Sequence, residues 1–261
     1  CYGRGAIDDK RQAAISPDAM ARLAAKEPPL RTIKLVLTCG EESGARINNI
    51  RWLIDNHRDW LNAAFALNEG GGGTLNAQGK PQTLGFQAGE KVSQNFRIEA
   101  TNPGGHSSMP RPDNAIYDLS RGLIGLADHD FPVQFNDTTR GYFGAMAGIV
   151  GGDTGKAMTE LLANPQDAAA DALVSKNAAW HSMLRTTCVA TLTEGGHAIN
   201  ALPQRATANV NCRMFPGDPV PNVQAGLVKA MGNTGVTVTA VPPVNPTPPP
   251  PPLTPLVFGT A

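Results

Sequence analysis

Two adjacent carboxylates, Glu41 and Glu42, directly follow an apolar run at residues 32–39 that is typical of a buried strand. In an α/β sheet, ligands bind in the crevice beyond the carboxyl ends of the strands, so this position suits chemistry. Side chains at consecutive positions diverge, and like charges at close range push pKa values apart. The pair therefore favours a division of roles, in which one carboxylate holds a metal ion and the other moves protons.

The residues around this pair predict alternating helices and strands. A helix capped by Ser16 is expected to stop near Pro28, and helical spacing returns over residues 47–57. A second short buried strand is predicted at residues 63–67. Acids in the loops beside these elements are Asp8, Glu41, Glu42 and Glu69. An isolated Glu-Glu pair is more often a charged turn, so these further acids are what favour a functional site.

The second half of the chain follows a different pattern, which predicts a small α+β domain. Predicted elements are a strand at 91–100, a helix from Asn114, strands at 186–193 and 206–213, a helix at 222–231 and a strand at 236–241. This β-α-β-β-α-β order is typical of a ferredoxin-like domain. Residues 131–180 are less patterned and are interpreted as an insertion, with helices predicted near 157–162 and 167–174.

The fold class expected is α/β with two domains. Residues 1–89 are assigned to the first domain, 90–242 to the ferredoxin-like domain, and 243–261 to a proline-rich connector that returns toward the first domain.

Composition excludes several classes of partner. The chain has 261 residues, of which 41% are apolar, and 22 basic residues balance 22 acidic ones. Zero net charge gives no electrostatic reason to expect nucleic acid or an anionic membrane as a partner. We find no apolar run long enough to cross a bilayer and no signal peptide. Because the chain opens with Cys1 and mid-domain-like sequence, its localisation stays open between cytoplasm and periplasm or secretion.

The four cysteines are interpreted as structural. Cys1, Cys39, Cys188 and Cys212 are widely spaced and form no CxxC pair, which argues against a zinc ribbon or a redox motif. Cys188 and Cys212 lie in alternating segments, where a free thiol behaves as a small apolar residue. We therefore expect a structural role for all four cysteines.

Five motifs in a fixed order resemble one known family. The motifs are GRGAIDDK at 3–10, GEESG at 40–44, NEGG at 68–71, GGHSSMP at 104–110 and GGHAINALP at 195–203. Their order resembles that of the zinc aminoacylase, carboxypeptidase and deacetylase family, which includes succinyl-diaminopimelate desuccinylase, acetylornithine deacetylase and glutamate carboxypeptidase. The resemblance implies a zinc-peptidase-like catalytic domain with an inserted lid and dimerisation domain.

The resemblance also implies roles for the acids. Asp8 resembles the aspartate that bridges two metal ions, Glu41 the general base, and Glu42 and Glu69 ligands of one metal each. Two zinc ions about 3.5–4 Å apart, with cobalt or manganese as possible substitutes, can share and activate a water molecule. The general base then takes the proton of that water and returns it to the leaving nitrogen.

Three further residues match substrate-binding positions of the family. His106 resembles the histidine that reaches the active site of the partner subunit in dimeric relatives. Asn200 and Arg213 resemble the pair that holds the substrate carboxylate and polarises its amide. The implied activity is hydrolysis of an amide or peptide bond in a small carboxylate-bearing substrate, by a homodimer.

The chain also departs from the family pattern. Two histidine ligands of the family, one upstream of the GRG loop and one near the C-terminus, have no counterpart, so we expect a chain truncated at both ends. The H-x-D of His57 and Asp59 follows GEESG and is interpreted as a surface coincidence. Three carboxylates alone favour harder ions over zinc. A partial metal site and little activity are therefore expected.

Other function classes are indicated less strongly by the sequence. The signal for a serine hydrolase is weak, because Met109-Pro110 replaces the last glycine of G-x-S-x-G. Residues 73–80 hold one residue too many for a phosphate-binding loop. The remaining histidines, His129, His181 and His197, are assigned to structure or surface. The serious alternative is a non-catalytic member or fragment of the family that retains the dimerisation domain.

Overall fold

The computed structural model describes residues 9–26, 29–40, 49–232, 234–255 and 259. Its chain divides into two compact units, Cys1–Phe86 and Gln87–Ala261. Helices and strands are mixed in the chain, as the sequence predicts for the α/β class.

The first unit contains three helices and one small antiparallel sheet. Its elements are α1 (Lys10–Lys26), α2 (Asn49–Asn56), α3 (Arg58–Leu61), β1 (Gly72–Leu75) and β2 (Pro81–Gly85). The two strands pair with each other, and Gly72 lies opposite Gly85. None of the residues described in this unit is buried.

Two strands predicted in the first unit are absent from its described residues. Residues 32–39 and 63–67 are in neither helix nor strand. Their apolar side chains are exposed, with 59% of Leu37 and 84% of Leu67 accessible to solvent. An apolar run becomes a strand only when a neighbouring strand supplies its hydrogen bonds, and no described residue pairs with either run.

The first helix also differs from its prediction. It begins at Lys10 rather than at Ser16, so Pro17 lies inside the helix instead of at its first position. Proline lacks the N–H that the preceding turn would accept, which is why the sequence predicts a start there. The second helix agrees with the predicted helical spacing.

The second unit is built on a four-stranded antiparallel sheet. Its strands are β3 (Val92–Thr101), β5 (Thr187–Gly195), β7 (Arg205–Met214) and β8 (Val236–Ala240), in the order β5-β7-β3-β8. Helices α4 (Ala115–Ala127) and α9 (Val220–Met231) complete the predicted β-α-β-β-α-β succession. Two short strands, β4 (Gly105–His106) and β6 (Ala201–Leu202), form a separate antiparallel sheet, here called the β4–β6 pair.

One face of this sheet packs against the two helices. Residues of β3 alternate between buried and less buried positions, and Phe96, Ile98 and Ala100 are fully buried. Leu119 of α4 and Leu227 of α9 belong to the same apolar cluster. This alternation was visible in the sequence because side chains of a strand point to opposite faces.

The opposite face of the sheet is polar. The side-chain amide of Asn211 donates to Ser93 Oγ at 3.1 Å and to Asn95 Oδ1 at 3.0 Å. Asn209 Nδ2 donates to Thr191 Oγ1 at 2.7 Å. These cross-strand hydrogen bonds satisfy the amides, so this face needs no apolar cover.

Four helices form the insertion between α4 and β5. They are α5 (Asp137–Val150), α6 (Gly152–Ala163), α7 (Ala168–Val174) and α8 (Ala178–Leu184). They enclose a second apolar cluster that includes Phe143, Met158 and Leu184. The sequence predicted α6 and α7 but missed α5 and α8. The α5 sequence carries three glycines, which lower helix propensity, and the missed helix is held instead by a capping box at Asn136.

A disulfide joins Cys188 of β5 to Cys212 of β7, so the structural role of these two cysteines is that of a cross-link and not of small apolar side chains. The two residues lie directly opposite each other, with 4.0 Å between their Cα atoms. Only the register of the two strands makes this bond possible, and periodicity within one strand does not fix register. Cys39 is a free, exposed thiol, and Cys1 lies outside the described residues.

The proline-rich segment has neither helix nor strand over residues 244–254. Asn245 tethers its start to the sheet, because its backbone N–H donates to Gln94 Oε1 and its side chain donates to the Ser93 carbonyl. Within the described part of the chain, no helix is long and apolar enough to cross a membrane.

Candidate functional site

Most of the predicted metal ligands lie outside the described residues. Asp8, Glu42 and the predicted general base Glu41 are among these. Glu69 is described and exposed, in the irregular segment just before β1. Across the ranges that the structure describes, no group of three or more His, Cys, Asp or Glu residues could hold a metal ion. The predicted ligand set is all carboxylate, which fits a divalent cation by its chemistry alone.

His57, whose H-x-D sequence is interpreted above as a surface coincidence, is half-buried and contacts two tryptophan rings. Its ring stacks on Trp60 with 4.1 Å between ring centroids and lies 5.2 Å from Trp52. The H-x-D sequence therefore places its histidine in an aromatic cluster of the first unit.

The β4–β6 pair brings two of the predicted site motifs together, GGHSSMP and GGHAINALP. Gly105 pairs with Leu202 and His106 pairs with Ala201. The backbone N–H of Ser107 donates to the Asn200 carbonyl at 3.0 Å. A Cβ at Gly104, whose φ is +80°, would lie 2.7 Å from Gln204 Cγ. The glycines of the GGHSS motif thus allow the close approach that sets His106 beside Asn200.

The His106 ring is oriented by the residue two positions later. The backbone N–H of Ser108 donates to Nδ1 at 3.2 Å, and Ser108 Oγ lies 2.8 Å from the same nitrogen. Because Nδ1 accepts a hydrogen bond from a backbone N–H, the proton of the neutral ring belongs on Nε2. The exposed ring can therefore donate from Nε2 to a carbonyl oxygen.

A polar clamp closes the loop that carries His106. Asn102 Nδ2 donates to Asp113 Oδ2 at 2.8 Å, and the backbone N–H of Gly104 donates to Asn102 Oδ1. Arg111 forms a two-pronged ion pair with Asp113. The hydrogen bond from Arg111 is the main reason that the pKa of Asp113 is lowered to about 2. Both ends of the loop are thereby fixed to each other.

Arg213 lies at one end of the four-stranded sheet, and the β4–β6 pair follows the opposite end. It pairs with Ser93 of β3 and Thr187 of β5, whereas Arg205 of β7 pairs with Thr101. A strand rises roughly 3.3 Å per residue, so the eight residues from 205 to 213 span about 26 Å. Within one chain, the fold brings His106 and Asn200 together and separates Arg213 from both.

Lys91, which the sequence analysis did not single out, lies beside Arg213. Its half-buried ammonium donates to Thr187 Oγ1 at 2.8 Å, to the Ser182 carbonyl at 2.9 Å and to Ser182 Oγ at 3.3 Å. Burial, followed by the charges of Arg213 and Arg185, lowers the pKa of Lys91 from 10.5 to about 8. A cation just ahead of an alternating strand is a weak sequence signal, which is why this residue was missed.

The second unit is thus a ferredoxin-like domain in which a short pair of strands holds a histidine beside an asparagine. Residues 88–238, more than half of the chain, match the family model described as the peptidase dimerisation domain, M20_dimer. The chain belongs to the M20 family of aminoacylases and carboxypeptidases, a family of hydrolases and metallopeptidases, so the resemblance predicted from the sequence motifs is confirmed.

Two curated relatives are similar over most of this chain. Human N-fatty-acyl-amino acid synthase/hydrolase PM20D1 is 27% identical over 229 residues, which cover 85% of this chain and 44% of that protein. A probable carboxypeptidase S-like 2 of Dictyostelium discoideum is 25% identical over 251 residues, 92% of this chain and 47% of that protein. The chain spans less than half the length of these relatives.

A solved structure is also similar. It is the M20 family metallo-carboxypeptidase Sso-CP2 from Sulfolobus solfataricus, which is 18% identical and has a TM-score of 0.37. The alignment covers 65% of this chain and 48% of that one.

Proposed function

We propose that this protein is a metal-dependent hydrolase that cleaves an amide or peptide bond in an N-acyl amino acid or a short peptide. The observation that carries the proposal is the β4–β6 pair, which sets His106 beside Asn200 in a peptidase dimerisation domain. The names of the human and Dictyostelium relatives describe an N-acyl amino acid and a carboxypeptidase, respectively. In both substrate types a carboxylate lies close to the amide that is cleaved.

Different acidic residues of this chain are proposed for metal binding and for proton transfer. Zinc ions held by Asp8, Glu42 and Glu69 would supply an activated water, and cobalt or manganese could replace them. Glu41 takes the proton of the water and returns it to the leaving nitrogen, so the departing group leaves as a neutral amine. This sequence of proton transfers needs one carboxylate that is free of the metal.

Two donors are proposed for the carbonyl oxygen. The Nε2–H of His106 and the side-chain amide of Asn200 can both donate to the oxygen as negative charge develops on it. Arg213 would hold the substrate carboxylate with two parallel hydrogen bonds, the geometry for which a guanidinium is suited.

We further propose that two copies of the chain complete each site. About 26 Å of strand separates Arg213 from the end of β7 that leads to the β4–β6 pair, which is too far for one small substrate to bridge. A homodimer through the dimerisation domain can set His106 and Asn200 of one subunit against Arg213 of the other. In support, β5 is an edge strand and exposes Val189 and Leu192 to 59% and 69%.

The test is hydrolysis by the purified, zinc-loaded chain. A panel of N-acetyl amino acids, N-fatty-acyl amino acids and dipeptides would be incubated with it, and released amine would be measured by fluorescence. We expect His106→Ala to lower kcat by roughly 10²–10³-fold, the usual cost of one oxyanion donor. His197→Ala, in the nearby exposed loop, is the matched control and should keep wild-type activity.

The alternative function is that of a non-catalytic family member that retains the dimerisation domain. It is favoured by the lack of any buried residue among those described in the first unit. Metal content separates the two functions. A chain that binds less than one zinc ion and releases no amine from any panel member supports the alternative, whereas two bound zinc ions with no released amine would refute the hydrolase proposal itself.

A further inference from the structure

Three cationic side chains lie at the end of the four-stranded sheet that is far from the β4–β6 pair. Lys91 immediately precedes β3, Arg213 ends the polar face of β7, and Arg185 lies between α8 and β5. Thr187 connects the first two, because it pairs with Arg213 across the strands and accepts a hydrogen bond from Lys91. The two cations are close enough to interact, because the positive charge of Arg213 lowers the pKa of Lys91.

The charge of Arg185 is balanced, but those of the other two cations are not. The Arg185 guanidinium is ion-paired with Asp171 and lies 3.9 Å from Asp130. Lys91 donates only to neutral oxygens, those of Ser182 and Thr187. Within the described ranges, neither Lys91 nor Arg213 has a carboxylate within 4.0 Å.

Holding two like charges together without a counter-ion costs free energy that the fold must offset. A bound anion would remove that cost, because each cation then gains an opposite charge. Burial restricts Lys91 to its three neutral acceptors, whereas the Arg213 side chain is exposed. An anion can therefore reach Arg213 directly and feel Lys91 through space.

We propose that Lys91 is a positioning residue of a two-cation carboxylate site, in which Arg213 contacts the carboxylate and Lys91 contributes the second positive charge. This inference rests on the proposed function, because the carboxylate it assigns to the site is that of the substrate. Lys91 also ties the end of α8 to the start of β5 through Ser182 and Thr187, which fixes the strand beside Arg213.

The site should weaken in mild alkali. Linkage is reciprocal: if the Arg213 charge favours loss of the Lys91 proton, an anion at Arg213 favours its retention, and a protonated Lys91 strengthens anion binding. Carboxylate affinity is then highest below pH 8 and falls as Lys91 deprotonates, with its pKa at about 8.

Other charged groups around Lys91 are fixed or remote from it. Glu90 accepts a hydrogen bond from Gln87, and Arg185 is held by Asp171 and Asp130 as above. On α8, His181 lies 3.4 Å from Asp130.

The experiment is a titration of the full chain with sodium acetate, followed through the ¹³Cζ resonance of Arg213 at pH 6.5 and pH 9.5. Two charges about 8 Å apart correspond to roughly a two- to thirtyfold change in affinity for effective dielectric constants of about 80 to about 20. We expect wild-type acetate affinity to fall by about that factor between the two pH values. Acetamide, which is neutral and of the same shape, should cause no shift.

Two substitutions of Lys91 distinguish charge from packing. Lys91→Arg keeps its charge at both pH values, so its acetate affinity should not change with pH. Lys91→Met should bind weakly at both, and Lys229→Met, an exposed lysine in the last turn of α9, is the matched control that keeps the wild-type profile. Equal, pH-independent acetate affinity in the wild type and Lys91→Met would overturn the inference.

The outcome is separable from that of the hydrolase test. Acetate binding needs no turnover, so a chain that binds acetate in this manner but hydrolyses nothing refutes only the proposed function. A hydrolase whose acetate affinity does not depend on pH refutes only this inference. In an active protein, Lys91→Met should raise KM by the same factor as the acetate Kd and leave kcat within about twofold.

Discussion

Replacing Asp171 by alanine is expected to destabilise the second unit by about 3 kcal/mol, because it leaves a buried guanidinium without its counter-ion. The Arg185 side chain is 2% exposed and that of Asp171 is 25% exposed. Besides Asp171, the guanidinium donates to Ser175 Oγ at 3.2 Å and to the Phe131 carbonyl at 3.3 Å. These bonds join α7 and the chain before α5 to the short link between α8 and β5, where Arg185 lies.

The magnitude follows from what remains after the substitution. Removing one member of a buried ion pair costs about 3–5 kcal/mol. The lower end applies here, because Asp130 stays 3.9 Å from the guanidinium and neutral acceptors remain. Among the residues that the structure describes, Arg185 Nε has no hydrogen-bond partner, so the guanidinium is already short of acceptors. Exchanging both Arg185 for methionine and Asp171 for leucine should recover most of the loss.

The assay is urea denaturation followed by far-UV circular dichroism. Asp118→Ala serves as the matched control, because the Asp118 side chain is 23% exposed, like that of Asp171, but its partner Arg121 is 59% exposed. Its loss leaves a solvated guanidinium and should cost no more than about 1 kcal/mol. Equal midpoints for Asp171→Ala and Asp118→Ala would refute the reasoning, since the energetic argument depends on the burial of Arg185.

The same pair predicts a loss of stability in acid. Burial by itself raises the pKa of Asp171, but hydrogen bonds from Arg185 and Ser175 outweigh it and hold that pKa below its ordinary value. A carboxyl group with a depressed pKa stabilises the fold above its unfolded-state pKa, and the contribution disappears as pH falls through the folded-state pKa. The difference in stability between wild type and Asp171→Ala should therefore shrink below about pH 4.

Two other predictions concern the scaffold of the second unit. Replacing both Cys188 and Cys212 by alanine should lower the free energy of unfolding by about 3.5 kcal/mol, the loop entropy for their separation of 24 residues, and a reductant should lower the wild-type urea midpoint but not that of the variant. Gly125→Ala should destabilise by about 2 kcal/mol, because its Cβ would lie 2.4 Å from a carbonyl oxygen of α9. Gly141→Ala, in open space on α5, should instead stabilise by up to about 1 kcal/mol, and equal melting temperatures for the two glycine variants would contradict this.

Local patterns predicted the elements of the second unit because their causes are local. Alternation along β3 and β7 follows from the two faces of a strand, and Asn114 caps α4 by accepting from the Ile116 N–H at 2.9 Å. The same reasoning failed for residues 32–39, since apolar alternation or runs indicate a strand only when a partner strand exists.

The candidate site divides in a similar way. The order of the five motifs identified the family, and the motifs include His106 and Asn200. The resemblance also pointed to Arg213, which lies beyond the last motif. Their roles in catalysis, and those of the metal-site acids, stay predictions. The sequence did not reveal that the β4–β6 pair sets His106 beside Asn200, or that Arg213 lies at the far end of the four-stranded sheet.

The sequence by itself determined the family, the β-α-β-β-α-β succession and the residue types available for chemistry. Only the tertiary structure decided the disulfide between Cys188 and Cys212, the buried pair of Arg185 and Asp171, and the environment of Lys91. The physical reason is distance along the chain: Lys91 and Thr187 are 96 residues apart, and their contact depends on how strands pair. Helix and strand periodicity reports which face of an element is apolar, whereas strand register decides which polar groups meet.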